Sequence, residues 1–289
     1  MNNSTLKISI VIPTLGRRRE LDTLLKSIEA STYRNIEIII VDQNDNCLID
    51  DIVDRYEAVL AINHEKVSFT GAARSRNHGL QFATGEIVFF PDDDAFLNPD
   101  TLEKAVSFLK DSDCDGVAAR VIDPESGKSA LLKFSNCASY ITASNFFRLT
   151  IEFNILWKRD ALAVMGGFDD RLGVGTYFSS EESADLILRA FKKNCKIFYL
   201  PSILVFHPDN RNQSAGKIFG YGRGFGALLY KHKRNRNIYP YARRYIGNAF
   251  VGVFIFLLIK PKKSLCYVAR LLGTLVGFMR ARGVFRDVF

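Results

Sequence analysis

The stretch Ile87-Val88-Phe89-Phe90-Pro91-Asp92-Asp93-Asp94 decides the fold. Four apolar residues in a row read as a buried strand, broken at Pro91 and ending in three consecutive carboxylates. Carboxylates this close repel one another and disfavour their own ionised forms. They persist where a cation neutralises them, and a divalent metal bridging phosphate oxygens is the usual answer. In α/β sheets ligands gather at the carboxyl ends of strands, which is where this cluster sits. The plainer alternative is a solvated acidic turn before the helix that Asn98-Pro99-Asp100 starts.

The flanking sequence repeats the strand–helix alternation. Ile8 to Ile12 reads as a first strand stopped by Pro13, followed by Leu21, Leu24, Leu25 and Ile28 at helical spacing. Glu37 to Val41 is a second buried strand ending in Asp42, then come helical sequence from Ile49 to Val59 and a short strand at Ala61-Ile62. Ala72 to Phe82 is helical, Leu102, Ala105, Val106 and Leu109 mark another helix, and Gly116 to Val121 another strand. Gly166-Gly167 and Gly173-Val174-Gly175 mark tight turns, a helix spans about Ser183 to Lys193, and Lys196 to Leu200 is a strand. Units of this length predict a single, mostly parallel sheet flanked by helices. Ser135 to Asn154 mixes small polar and aromatic residues and yields no element.

The 289 residues, 47% of them hydrophobic, suffice for one large α/β domain with an appendage. The polar start, Met1 to Lys7, carries no secretory pattern, and five scattered cysteines without a CxxC pair fit a reducing, cytoplasmic setting. The net charge of +8 is unevenly spread. From Asp209 onward there are 16 basic side chains against Asp209 and Asp287, a balance of +14, whereas residues 1–208 carry −6. In this tail the basic residues bracket two greasy runs, Ala249 to Ile259 and Leu265 to Met279, neither reaching the roughly 20 apolar residues of a spanning helix. Apolar stripes with aromatic and Lys/Arg flanks predict helices lying on an anionic membrane surface, not a nucleic-acid face. A pair of core helices packed on the body is the alternative.

Taken in order, several motifs resemble an inverting family 2 glycosyltransferase with the GT-A fold, over about residues 7–230. Ile10-Val11-Ile12-Pro13-Thr14-Leu15-Gly16-Arg17 is similar to the family's opening strand and nucleotide-facing loop, and Val41-Asp42-Gln43-Asn44 to its second strand end. Arg76-Asn77-His78-Gly79 looks like its Arg-Asn-x-Gly helix, and Asp92-Asp93-Asp94 like its Asp-x-Asp metal signature. Gly166 to Asp169 and Glu181-Glu182-Ser183-Ala184-Asp185-Leu186 resemble the acceptor side, and Pro201 to His207 the strand whose final His closes the metal site. The resemblance implies a GT-A domain over 1–230, with a nucleotide half to about 122 and an acceptor half from 123. A basic, membrane-associating helical extension over 231–289 would follow.

It also implies a chemistry. Asp92, Asp94 and His207 would hold Mn²⁺ or Mg²⁺ against the diphosphate of a nucleotide sugar, a UDP-sugar by default, stabilising the leaving group. Pro13, Thr14, Arg17, Asp42, Asn44, Arg76, Asn77, Asp92, Asp93 and Arg223, the last from a glycine-rich Tyr221-Gly222-Arg223-Gly224 loop, would line the nucleotide-sugar site. An inverting displacement needs a general base toward the acceptor hydroxyl. Glu182, with Asp185 one turn on, is the first candidate, and a one-residue slip brings in Glu181. The acceptor would be a glycan or polyprenyl-linked sugar, met at the inner face of the cell membrane. Two other readings exist: a sugar-phosphate nucleotidyltransferase, for which Thr14 to Arg19 is short of glycine and lysine, and a nucleic-acid module using the basic tail.

Overall fold

The protein is described from a computed structural model covering residues 5–209 and 214–286. Its first half alternates as the pattern predicts: β1 (Ile8–Thr14), α1 (Arg18–Glu29), β2 (Ile36–Asp42), α2 (Asp50–Glu57), β3 (Ile62–Lys66), α3 (Ala72–Leu80) and β4 (Ile87–Phe89). Leu21, Leu24, Leu25 and Ile28 of α1 are wholly buried, each contributing about 2 kcal/mol of apolar transfer. β1 does not stop at Pro13 but runs through it. The Thr14 carbonyl accepts from the Gln43 N–H on the β2 side, so Pro13 faces the β4 side, where pairing ends at Ile10. A missing N–H costs nothing there.

The second half comprises β5 (Phe96–Leu97), α4 (Thr101–Asp111), β6 (Gly116–Ile122), β7 (Ser139–Tyr140), α5 (Phe146–Leu149), β8 (Ile155–Lys158), α6 (Arg159–Met165), α7 (Glu182–Lys192) and β9 (Ile197–Phe206). The sheet order is β3-β2-β1-β4-β8-β6-β9-β5, with β7 on β9. β1 to β4, β6 and β9 share one direction, while β8 sits reversed between β4 and β6. This reversal, in the region without a predicted element, brings the residues before β8 to the edge where β4 ends. They form a 3-10 turn, Glu152–Asn154. Buried Asn154 fixes it, donating from Nδ2 to the Ala119 and Leu149 carbonyls at 2.6 and 3.0 Å and accepting from the Ile151 N–H at 2.9 Å.

Three helices complete the chain: α8 (Ala215–Lys231), α9 (Tyr239–Ile259) and α10 (Pro261–Val284). Tyr221 to Gly224 is therefore helix, not the loop its glycines suggested. Those glycines serve contact: a Cβ on Gly222 would lie 2.5 Å from the Arg270 carbonyl, and one on Gly277 2.1 Å from that of Arg223. α8 and α10 thus touch backbone to backbone, as small-residue helix pairs do. Lys231, buried at the end of α8, pairs with Asp169 and Asp185 at 2.6 Å each, so the boundary expected at 230 falls inside a buried ion-pair cluster. Tyr241 and Tyr245 of α9 pack on the main core, whereas Phe250, Val251, Phe254, Ile255, Leu257 and Ile259 are exposed. Among the described residues one helical segment, Lys263–Val284, is long and apolar enough to cross a membrane.

Candidate active site

Arg76 organises the cleft. It projects from α3, is 2% exposed, and its guanidinium meets Asp92 at 2.8 Å, Glu182 at 3.5 Å and Glu152 at 3.9 Å. Its Nε is buried without a hydrogen-bond acceptor, while Nη1 faces Glu182 Oε1 at 3.5 Å. Buried guanidinium donors left open in this way are a ready grip for an oxyanion or sugar hydroxyl. The cavity that Arg76 enters is about 380 Å³ and is lined by Pro13, Arg17, Arg76, Asp92, Asp93, Asp94, Glu152 and Glu182, together with Gln43, Thr70, Gly71 and Ala72. α3 starts in this wall and has no acidic residue in its first turn, so its positive end is uncompensated.

A second cavity of about 500 Å³ shares Arg17, Asp92, Asp94 and Glu152 and adds His207, Lys217, Tyr221 and Arg223. At their junction the ligand atoms of Asp92, Asp94 and His207 lie within 4.8 Å of one another. His207 Nδ1 donates to the Pro208 carbonyl at 2.7 Å, leaving Nε2 directed at Asp94 Oδ1, 3.1 Å away. Burial disfavours a charged ring, but Asp94 outweighs it and raises the His207 pKa. Burial also works against the Asp94 carboxylate, yet His207 and Arg17 hold it at about 2. Asp92 is pushed up to about 6 by burial, with Arg76 opposing and Glu152 and Asp94 adding to the shift, and burial pushes Asp93 up to about 7. Five carboxylates here face three guanidiniums, the Lys217 ammonium and one imidazole. Two carboxylates with an imidazole anchored through its other nitrogen fit a divalent cation.

The acidic pair at the start of α7 divides. Glu182 is 4% exposed and enters the cleft beside Arg76. A Cβ on Gly173, whose φ is +99°, would sit 2.7 Å from its Cδ, so that glycine leaves the room the carboxylate occupies. Burial raises the pKa of Glu182 and of Glu152. Glu181 points elsewhere: both its oxygens accept from the Tyr241 hydroxyl, at 3.1 and 3.0 Å, and burial pushes it up to about 8. Asp185 is fully buried among Arg189 (2.8 Å), Lys231 and His232 (2.8 Å), which hold its pKa low against burial.

Of the remaining expected site residues, Arg223 lines the second cavity, and Asp42, Asn44, Thr14 and Asn77 are absent from both linings. Asp42 is fully buried, its Oδ1 taken by the Asn44 N–H and side-chain amide and its Oδ2 facing His64 at 3.1 Å. Asn44 in turn accepts from the Gly16 N–H at 2.8 Å, shaping the loop after β1. Thr14 is buried at the end of β1. Asn77 clamps the Phe168 backbone at both its N–H and its carbonyl, 2.8 Å each. Arg223 lies in α8, over the Tyr177 ring at 4.2 Å, with its Nε buried and unpartnered. Glu152 went unpredicted. Its only local signal is one carboxylate inside the apolar run from Ile151 to Trp157.

A sheet of this order, with an acidic strand end facing a buried carboxylate at a helix start across a divided cleft, defines a GT-A transferase. The profile of glycosyl transferase family 2 matches residues 9–158, and the chain belongs to that family. It is 26% identical over 243 residues to a glucosyl-dolichyl phosphate glucuronosyltransferase of Haloferax volcanii, covering 78% of this chain and 74% of the relative. Its fold is similar to a mannosyltransferase from Pyrobaculum calidifontis solved with GDP-Man and Mn²⁺, with a TM-score of 0.69 at 16% identity over 96% of this chain and 88% of that one. It also resembles S. aureus TarS (residues 1–349) solved with UDP-GlcNAc, with a TM-score of 0.64 at 17% identity over 98% and 92% of the two chains. Family membership removes the nucleotidyltransferase reading.

Proposed function

We propose that the protein is a metal-dependent, inverting glycosyltransferase that moves a hexose from a nucleotide-diphosphate donor to a hydroxyl of a glycan or polyprenyl-linked acceptor. The observation that carries this reading is one guanidinium, Arg76, bridging the Asp92 strand end and the Glu182 helix start in a single cleft. Asp92, Asp94 and His207 would hold the cation, which when bound supplies Lewis-acid stabilisation of the departing diphosphate. Its imidazole ligand favours Mn²⁺, since Mg²⁺ prefers an all-oxygen shell. Arg17, Arg76 and Arg223 offer the spare donors for phosphate oxygens.

Glu182 takes the acceptor proton. Burial makes it a stronger base than an ordinary glutamate, and Arg76 keeps its ionised form accessible. Glu181, spent on Tyr241, does not compete for that role. The exposed apolar side of α9 and α10, with Arg243, Arg244, Lys260 and Lys263 around it, would seat the enzyme peripherally on the inner face of the cell membrane. A lipid-linked acceptor would be met there, in keeping with the dolichyl-phosphate relative.

The test is calorimetric titration of UDP, GDP, dTDP and CMP with and without Mn²⁺, followed by turnover of the matching sugar nucleotides. Metal-dependent binding of one nucleotide and hydrolysis or transfer of its sugar is the expected result. Binding of none of them would overturn the reading.

A further inference from the structure

Glu181, immediately before the base, has φ +76° and ψ +11°. Only two other non-glycine residues, Leu131 and Asn194, share positive φ among the described residues. A glutamate in the left-handed region costs of order 1 kcal/mol or more and persists where its surroundings over-determine it. Here the surroundings come from the C-terminal helices. The Tyr241 hydroxyl of α9 holds both Glu181 oxygens, and Tyr241 is itself stacked flat on Phe147 (5.2 Å) and edge-on to Phe146, Phe225 and Tyr245. One residue earlier, the Ser180 hydroxyl donates to the Tyr221 carbonyl of α8 at 3.0 Å. A Cβ on Gly224 would fall 2.3 Å from that hydroxyl oxygen, so α8 presses directly on the segment. α10 closes the set from behind, its Arg270 lying over the Tyr245 ring at 5.0 Å.

The backbone that enters α7 is thus fixed from α8 and α9 on one side, while Gly173 sits against the Glu182 carboxylate on the other. The entry angle sets where Glu182 points. We propose that Tyr241, acting through Glu181, is a positioning residue for the Glu182 base, so that the C-terminal helices belong to the catalytic machinery as well as to the membrane-facing surface. The inference rests on Glu182 being the base, as argued above. It assigns no chemistry to Tyr241 itself, whose hydroxyl touches neither cavity lining.

The experiment uses the full chain with Tyr241→Phe, Glu181→Ala, Glu181→Gln and the Tyr241→Phe/Glu181→Ala pair, with exposed Tyr239→Phe on the same helix as control. Turnover, Mn²⁺-dependent nucleotide affinity and hydrogen exchange of residues 180–185 are read together. Displacing a catalytic group by about 1 Å costs on the order of a hundredfold. Tyr241→Phe is therefore expected to lower kcat by about ten- to a hundredfold, with donor KM and nucleotide affinity within about twofold of the parent. Exchange in the first turn of α7 should quicken. Glu181→Gln, which keeps an oxygen for the hydroxyl, should lose less than Glu181→Ala, and the double variant should be no worse than Glu181→Ala.

Unchanged kcat and exchange in Tyr241→Phe would overturn the proposal, as would kcat and nucleotide affinity falling together. If the parent turns over no donor, the enzymatic reading fails, and exchange at residues 180–185 decides the positioning separately. Unaltered exchange sinks it, and quickened exchange confined to that turn sustains it.

Discussion

At the scale of single residues, the cleft makes the two adjacent glutamates unequal. Glu182→Gln keeps the shape beside Arg76 but removes the proposed base, so kcat should fall by about 10²- to 10³-fold while Mn²⁺-dependent nucleotide affinity persists. Steady-state kinetics beside calorimetry would show this, and undiminished turnover would move the base elsewhere. A base works ionised, and the pKa of Glu182 is raised above the ordinary 4.5. The rate should therefore decline with falling pH along a limb set above that value, and a limb at or below 4.5 would contradict the burial argument. Asp94→Ala should abolish the Mn²⁺ enhancement of nucleotide binding without unfolding the chain, since the ion pairs Asp94 makes are with Arg17 and His207 at the cleft edge. Glu181 gives a stability signature. Its folded pKa of about 8 lies above the ordinary 4.5, so the stability it contributes is full below pH 4.5 and is lost as pH rises toward 8. Glu181→Gln, which cannot ionise, should gain in melting temperature relative to the parent across that window.

At the scale of elements, what the sequence disclosed was what short-range pattern can encode. β1, β2 and β4 are mostly apolar runs because they lie at the middle of a covered sheet, and α1, α4 and α7 show one buried stripe each. The same legibility extends to the aspartates that follow β4 and to His207 after β9. Reversed β8 was hidden: it has four residues, no alternation, and a direction fixed only by long-range pairing with β4 and β6. Missing it meant missing Glu152, which reaches the cleft only because β8 starts where β4 ends. The α8 glycines misled for a related reason, since a loop and a helix contact both demand an absent side chain and only the partner helix distinguishes them. That partnership is testable with two glycines of opposite expected sign. Gly277→Leu would force α10 off the Arg223 carbonyl and should cost at least about 1–3 kcal/mol in thermal or denaturant unfolding. Gly247→Ala in α9, with nothing within 4 Å of the new Cβ, should instead stabilise by up to about 1 kcal/mol.

At the scale of the whole molecule, α9 and α10 expose charge and greasiness together. Phe254 and Leu257, exposed on α9 near Lys260 and Lys263, are the residues to change. Phe254→Glu with Leu257→Glu should weaken binding to vesicles of anionic lipid by about tenfold or more, while nucleotide affinity stays at the parent value. Raised salt should weaken the parent's vesicle binding but not abolish it, because the apolar share is unscreened. Vesicle co-sedimentation reads both, and an unchanged partition would mean that this face serves something other than lipid. The reversed strand carries one more consequence, for anyone wishing to retool the enzyme. Between β6 and β8, which face each other at Ala118 and Ile155, the chain adds β7 to β9 on the same side of the sheet. Residues 123–154 thus combine core anchors, Phe134, Ile141, Phe146 and Leu149 among them, with exposed positions between. Varying the exposed positions alone would rebuild the mouth around Glu152 while leaving the β1, β2 and β4 side, on which the nucleotide would rest, in its original register.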